Sequence, residues 1–258
     1  MSRVGIIGLG NLGKALAEML IRRPDIKVIG SVRRPEHLRA LTIQLPEVEV
    51  VDNNAEVIAN SNVLILAVKP NQMRDVCAGI SSHICLPIIS VAAAVPLNKL
   101  HQWLPHKSAI IRCMPNLPCS IGAGVVPYYS YQPTDDLMQD IFAPNRVIAM
   151  DNDAEIDAAT VISGCGPAFI SWFSDQLYKI GQMRIPDAKL QSMIAQTICG
   201  TGLLLETKSS ATIMKEVASP KGATEAALRL LQDGAMETYI HTALKGAHSR
   251  ISDMADKL

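Results

Sequence analysis

The sequence predicts an α/β chain in two parts: a doubly wound parallel sheet over residues 1–152 and an all-α part over residues 153–258. Three observations predict it. Short Val/Ile/Leu runs alternate with helical stretches through the first half, as strands buried on both faces of a parallel sheet do. A spaced glycine pattern joins the first strand to the first helix. From about residue 153 onward only helical periodicity remains.

The elements follow in order. Residues 3–8 read as a short buried strand, and the helix after it runs to about Arg23. Residues 26–32 form the next strand, with a helical stretch from Pro35. Residues 48–52 and 63–68 are further strands with 55–60 between them, 72–83 is a helix, and 87–92 and 109–113 are two more strands. Residues 127–134 carry Tyr128, Tyr129 and Tyr131 beside prolines and read as a linker, and 145–150 as a last strand. In the helical part Met236, Ile240, Ala243, Ala247, Ile251 and Met254 recur at spacings of three and four, which makes one apolar stripe. Residues 188–205 mix Ala, Gly and Thr with Ile, Met and Leu, and small residues let helices approach closely. So much apolar surface predicts burial against a second subunit; packing on itself and on the sheet is the alternative.

The bulk properties agree. A chain of 258 residues is comfortable for two domains, and 48% hydrophobic residues supply a core. Net charge is zero with no long like-charge block, so neither a nucleic-acid face nor a membrane-surface face is expected. The first strand starts at about residue 3, leaving no room for a signal peptide, and no uninterrupted apolar run approaches the roughly 18–20 residues of a membrane span. Cys77, Cys85, Cys113, Cys119, Cys165 and Cys199 form no CxxC pair. The expectation is reduced thiols in a cytoplasmic protein, with no metal site. The six histidines (His37, His83, His101, His106, His241 and His248) are scattered and receive no role.

Gly8-Leu9-Gly10-Asn11-Leu12-Gly13 is a GxGxxG set between a strand and a helix, the context in which the pattern binds a dinucleotide. Gly8 permits the turn, Gly10 lets a pyrophosphate approach the backbone, and Gly13 lets helix pack on strand. The helix N-terminus at Asn11 and Leu12 supplies N–H groups and partial positive charge. A glycine turn that merely connects strand to helix is the bland alternative. At the end of the second strand an NAD enzyme carries a carboxylate for the ribose 2′-hydroxyl. Here Ser31, Val32, Arg33 and Arg34 stand there instead. Ser31, Arg33 and Arg34 suit a 2′-phosphate, so the expected cofactor is NADP(H), with NAD(H) the weaker possibility. Solvent-facing arginines at a helix start are the alternative.

Further motifs follow: Leu66-Ala67-Val68-Lys69-Pro70, Ser90-Val91-Ala92-Ala93, Arg112-Cys113-Met114-Pro115-Asn116-Leu117-Pro118, Ser163-Gly164-Cys165-Gly166-Pro167-Ala168-Phe169 and Val217-Ala218-Ser219-Pro220-Lys221-Gly222-Ala223-Thr224. In this order the chain resembles the pyrroline-5-carboxylate reductase family from Val4 to about Leu231. The resemblance implies a Rossmann domain, a helical C-terminal domain and a homodimer intertwined through those helices, in some members a larger ring of dimers. It implies reduction of the cyclic imine L-1-pyrroline-5-carboxylate to L-proline with hydride from NADPH. It also implies cofactor contacts at Ala67, Val68, Lys69, Pro70, Ala92, Ala93, Pro115 and Asn116. Substrate contacts are implied at Val217, Ala218, Ser219, Gly222, Ala223 and Thr224, with Thr224 near the imine nitrogen. The family pattern has Thr where this chain has Leu117, Ser at Cys165, Tyr at Phe169, Thr at Ala218 and Gly at Lys221.

The residues fit that chemistry. Pro220 and Gly222 shape a tight turn into a helix, whose first N–H groups make an anion site for the carboxylate. The hydroxyls of Ser219 and Thr224 add hydrogen bonds; a plain helix cap is the alternative. A hydroxyl is a poor general acid near pH 7, so Thr224 is expected to orient a substrate that arrives protonated. Asn116 offers both donor and acceptor to the nicotinamide ribose, and Ala92 and Ala93 make a small-residue wall for the ring. Residues 163–167 break a long helical pattern, which reads as a kink. Lys221 is expected to be a solvated charge, with reinforcement of the carboxylate site the alternative, and Cys165 a plain replacement for a small hydroxyl residue, with a redox-sensitive thiol the alternative. Two alternatives stand: reduction of a different cyclic imino acid, and a catalytically weak NADP(H)-binding dimeric paralogue. A β-hydroxyacid dehydrogenase is disfavoured because no Gly-x-x-x-Asn-Lys pattern occurs.

Overall fold

A computed structural model describes every residue except Met1, His106 and Gly234, and only the backbone of Asp233. The histidine at 106 therefore lies outside the described residues. The chain divides into two compact units, Met1–Pro167 with Ala247–Leu258, and Ala168–Gly246. The expected boundary at residue 152 marks the change from sheet to helices, whereas by packing the first helix beyond it stays with the sheet.

The first unit begins β1 (Ser2–Ile7), α1 (Asn11–Ile21), β2 (Ile26–Ser31), α2 (Leu38–Gln44), β3 (Val48–Val51), α3 (Asn54–Ala59), β4 (Val63–Leu66) and α4 (Pro70–Ala78). It continues β5 (Ile88–Ser90), α5 (Leu97–Trp103), β6 (Ile110–Cys113), β7 (Val125–Ser130), α6 (Asp135–Phe142), β8 (Arg146–Ala149) and α7 (Asp153–Ala159). Strand order is β3-β2-β1-β4-β5-β6-β7-β8. The order reverses between β1 and β4, which opens a crevice outside their carboxyl ends. Apolar side chains cover both faces: Ile6, Leu16, Leu20 and Ile65 lie in one layer, and Ile7, Leu64, Leu66 and Met73 in the other.

The sheet corrects the all-parallel expectation. β7 runs antiparallel to β6, and β8 runs parallel to β7. Residues 127–134, read as a linker, instead contribute most of β7, because Tyr128, Tyr129 and the valines before them suit a pleated, half-buried surface. Pro127 sits where the β6 pairing ends: its carbonyl accepts from Met114 N at 2.9 Å, and the reciprocal N–H is the one a proline lacks. The helix expected over 72–83 starts at Pro70 and stops at Ala78, where Gly79 folds its N–H back onto Val76 and Cys77. Helices α5 and α6 were not expected.

After α7 the helix continues through a π-turn, Thr160–Gly164, into α8 (Gly166–Gly181), so the expected break is a π-bulge. The second unit holds most of α8, then α9 (Asp187–Leu205), α10 (Ser210–Val217), α11 (Ala223–Asp233) and the start of α12 (Met236–Ala255). Its one fully buried hydrophobic side chain among the described residues is Leu190, onto which Gly181 packs. Trp172, Phe173, Ile180 and Leu203 are exposed. Residues Asp153–Gly181 form 29 helical residues with an 18-residue window of mean hydropathy 1.2, of which 22% is buried. By length and composition alone this stretch is long and apolar enough to cross a membrane.

Candidate active site

Five strand ends of the first unit bring most of the expected cofactor residues to one side of the sheet. The glycine turn follows β1. Gly8 has φ +101°, and a Cβ there would lie 2.9 Å from Ala67 O, so the turn demands glycine. Gly13 would place a Cβ 2.1 Å from Gly8 O, so it is needed for close packing of α1. Gly10 differs: a Cβ there would meet nothing within 4 Å. It borders open space at the start of α1, a helix with no acidic residue in its first turn and no side-chain cap. The first N–H groups of Asn11 and Leu12 are thus left for an anion. A dinucleotide pyrophosphate fits this cradle.

At the end of β2 the structure separates three residues expected to act together. Arg33 and Arg34 are exposed and pair with no carboxylate among the described residues. Ser31 is 2% exposed, and its hydroxyl donates to Asn54 Oδ1 at 2.6 Å. Its carbonyl accepts from Gly8 N and Leu9 N at 3.2 and 3.0 Å. Ser31 therefore shapes the glycine turn, and a direct side-chain contact with a phosphate is corrected to an indirect one. Asn54, at the start of α3, was missed. Asn54 is exposed, and with its Oδ1 occupied its amide N–H groups have no hydrogen-bond partner among the described residues. Nothing in the local sequence singled it out; only the tertiary hydrogen bond does.

Ala67, Val68 and Lys69 follow β4, with Pro70 at the first turn of α4. Ala92 and Ala93 follow β5, with Ala92 buried. Pro115 and Asn116 follow β6. Asn116 is less free than expected: its Oδ1 accepts from Val125 N at 3.0 Å and takes a long contact from Cys119 Sγ at 3.7 Å. Its acceptor is spent on the turn, and only its amide donors are available. Burial pushes the Cys119 thiol up to about 11 and that of Cys113, with Cys119 beside it, well above its ordinary value. Both are protonated near neutral pH, and neither is a nucleophile.

The expected substrate segment lies in the second unit. Val217 ends α10, and Ala223 and Thr224 open α11. Between them Gly222 N donates to Ser219 O at 2.9 Å. A Cβ on Gly222 would lie 2.4 Å from Ser219 Oγ, so glycine is required beside that hydroxyl. The hydroxyls of Ser219 and Thr224 have no hydrogen-bond partner among the described residues, so neither is a mere helix cap. Lys221 N donates to Glu225 Oε2 at 2.5 Å, which takes one N–H out of the turn and leaves those of Ala223 and Thr224. The described residues hold no group of three His, Cys, Asp or Glu able to bind a metal.

Two family models match the chain: pyrroline-5-carboxylate reductase dimerisation over residues 153–254, and NADP oxidoreductase, coenzyme F420-dependent, over residues 3–94. A pyrroline-5-carboxylate reductase of Synechocystis is 31% identical over 271 residues, covering 99% of both chains. The chain belongs to the pyrroline-5-carboxylate reductase family. Rat pyrroline-5-carboxylate reductase 3 is 30% identical, covering 99% of this chain and 97% of its own. In fold, a Plasmodium falciparum pyrroline carboxylate reductase solved with NADP bound superposes with a TM-score of 0.86 over 98% of both chains, at 23% identity.

Membership sharpens one departure. Where the family pattern has glycine, this reductase-family chain carries Lys221 at φ +59°. Left-handed backbone is costly for a lysine and free for glycine. The side chain is exposed, in keeping with a solvated charge. Leu117 is 59% exposed on the 3₁₀ turn Leu117–Ile121, so it fills no core position in place of the usual threonine.

Proposed function

We propose that this chain reduces L-1-pyrroline-5-carboxylate to L-proline with NADPH. The observation that carries the reading is similarity to reductases of this name along 99% of the chain. The unpartnered hydroxyls of Ser219 and Thr224 and the open cradle at Gly10 support it. Bound NADPH would supply the hydride. The N–H groups of α1 and the space at Gly10 hold its pyrophosphate, and Arg33, Arg34 and the Asn54 amide take the 2′-phosphate. Pro115 and the amide donors of Asn116 border the nicotinamide ribose, and Ala92 and Ala93 the ring. Val217, Ala218 and Gly222 shape the substrate turn. There Ser219 and the N–H groups of Ala223 and Thr224 hold the carboxylate. The Thr224 hydroxyl orients the imine nitrogen, which arrives protonated because an alcohol is too weak an acid to protonate it near pH 7.

The helical part is read as a homodimerisation surface. It matches the dimerisation model, and its exposed Trp172, Phe173 and Ile180 need a partner to leave water. The same surface accounts for the apolar stretch Asp153–Gly181 without a membrane. Six free cysteines suit a reducing, cytoplasmic compartment. In light scattering the expected mass is twice 27.8 kDa, or a multiple of that dimer.

The deciding assay follows loss of reduced-nicotinamide absorbance with the five-membered imino acid, its six-membered homologue, and NADH in place of NADPH. Rapid NADPH-dependent turnover of the five-membered ring is expected. Turnover of the six-membered ring alone would replace the substrate, and NADH preference would overturn the role of Arg33 and Arg34. Thr224→Ala should lower kcat/KM by about 100-fold, as loss of one preorganised donor does, while the Kd for NADPH stays unchanged.

A further inference from the structure

Arg112 is 1% exposed and lies on β6, two residues before Met114. Its Nη1 reaches Asp153 Oδ1 at 2.6 Å and the Asp153 carbonyl at 3.3 Å, and its Nη2 reaches Asp157 Oδ1 at 2.5 Å. Asp153 in turn accepts from Leu97 N, 3.0 and 3.1 Å from its two oxygens, and so caps α5. The guanidinium thus ties β6 to two carboxylates one helical turn apart on α7, and through Asp153 to α5.

One rung further along the same pair of elements, Gly164 lies on Met114. A Cβ on Gly164 would be 3.4 Å from Met114 Cε and 3.6 Å from Met114 Cγ. Asp153, Asp157, Thr160 and Gly164 recur at spacings of four, three and four, so one helix stripe carries both rungs. Between them lies the π-turn, closed by Cys165 N donating to Thr160 O at 2.9 Å. A π-turn is less favourable than regular α-helix and persists where its surroundings fix it. The Arg112 cluster is also poorly suited to stability alone. It buries one guanidinium between two carboxylates and leaves Nε without a partner among the described residues. Apolar residues of the same volume would often stabilise as well.

We infer that Arg112 is a positioning residue for imine reduction, acting through Asp153 and Asp157 to hold the π-turn Thr160–Gly164 against Met114, next to Pro115 and Asn116. The inference rests on the proposed reductase activity. Its mechanical part stands without it. The clamp fixes how far α7 advances along β6, and so where the backbone of Ser163, Gly164 and Cys165 lies beside the nicotinamide end of the crevice. The phosphate end, at Gly8–Gly13 beyond β4 and β5, is left alone.

Asp157 is the clean point of attack, because Arg112 is its one side-chain partner among the described residues and its side chain is 25% exposed, so water reaches it. In the full-length enzyme, Asp157→Ala should lower kcat by about 10- to 100-fold, the scale of a misplaced active-site wall, with the Kd for NADPH within about twofold of wild type. Asp157→Asn keeps an acceptor for Nη2 and should recover most of that loss. Without substrate, amide exchange across residues 160–166 should rise in Asp157→Ala and not in Asp157→Asn. A merely structural role would instead lower Tm with kcat unchanged and exchange unaltered at 160–166, and would overturn the inference. If wild type fails to reduce the imine, the reductase reading fails. The exchange result then decides alone whether Arg112 holds the π-turn.

Discussion

Two glycines of one motif are expected to fail in opposite ways when given a methyl group. At Gly10 the backbone has φ −75° and ψ −165°, open to any residue, and the new Cβ would meet no atom within 4 Å. Alanine is a slightly worse helix N-cap than glycine, by about 0.5 kcal/mol. Stiffening the unfolded chain returns about 0.4–1 kcal/mol. Gly10→Ala should therefore leave stability within about 0.5 kcal/mol of wild type. The methyl nevertheless occupies the space assigned to the pyrophosphate, and NADPH should bind at least tenfold more weakly, about 1.4 kcal/mol. Gly13→Ala puts its Cβ 2.1 Å from Gly8 O, a backbone atom that cannot swing aside. Overpacking of that kind costs about 1–3 kcal/mol, so this variant should unfold at lower urea. Urea melts and NADPH titration by quenching of tryptophan fluorescence separate the two. Wild-type NADPH affinity in Gly10→Ala would refute the placement of the phosphates, whatever the activity.

Two further outcomes follow from the structure. Lys221→Gly should raise stability by about 0.5–1 kcal/mol in urea melts, since relief of a left-handed lysine exceeds the entropy glycine loses on folding; a loss would mean the lysine side chain makes stabilising contacts. Stability should also fall in alkali. Burial raises Cys77 from 9.0 to about 12 and Cys119 to about 11; burial, then the hydrogen bond to Asp135, takes Tyr128 from 10.0 to about 12. Each holds its proton more tightly folded than unfolded. Their contribution is therefore full below about pH 9 and is lost as pH climbs toward 12, which urea midpoints across that range would show. A midpoint flat from pH 9 to 11 would contradict the burial of these groups.

Local chemistry made much of the fold legible. Strands such as Val63–Leu66 are continuous apolar runs, and Gly8 and Gly13 meet the tight turn and the close helix packing expected of them. What stayed hidden depends on residues distant in sequence. Residues 127–134, with prolines among the tyrosines, read as a linker, yet the N–H that Pro127 lacks falls where β6 has already run out. Ser31 looked like a phosphate ligand because a hydroxyl beside two arginines suits one. Its partner Asn54 lies 23 residues on and turns it inward. Asn116 looked free to both give and accept, until the chain returned at Val125 and took its oxygen. Arg112 stands within a recognised motif, but its role is hidden in the sequence because only folding brings Asp153 and Asp157 to it.

The reversal at β7 has a consequence for how this chain tolerates changes of length. β8 runs against β6, so the chain leaves the sheet heading away from the crevice, and α7 must turn and retrace the path of β6. The strand then acts as a ruler for the helix: Arg112 is gauged against Asp157, and Met114 against Gly164. Loops absorb an inserted or deleted residue by bulging. Here one residue gained or lost between Asp157 and Gly164 would turn everything after it by about 100° of helix, taking Gly164 off its mark. The π-turn is itself one such extra residue, already accommodated. Natural variation in length should therefore collect in the surface connections and spare the stretch from Asp157 to Gly164.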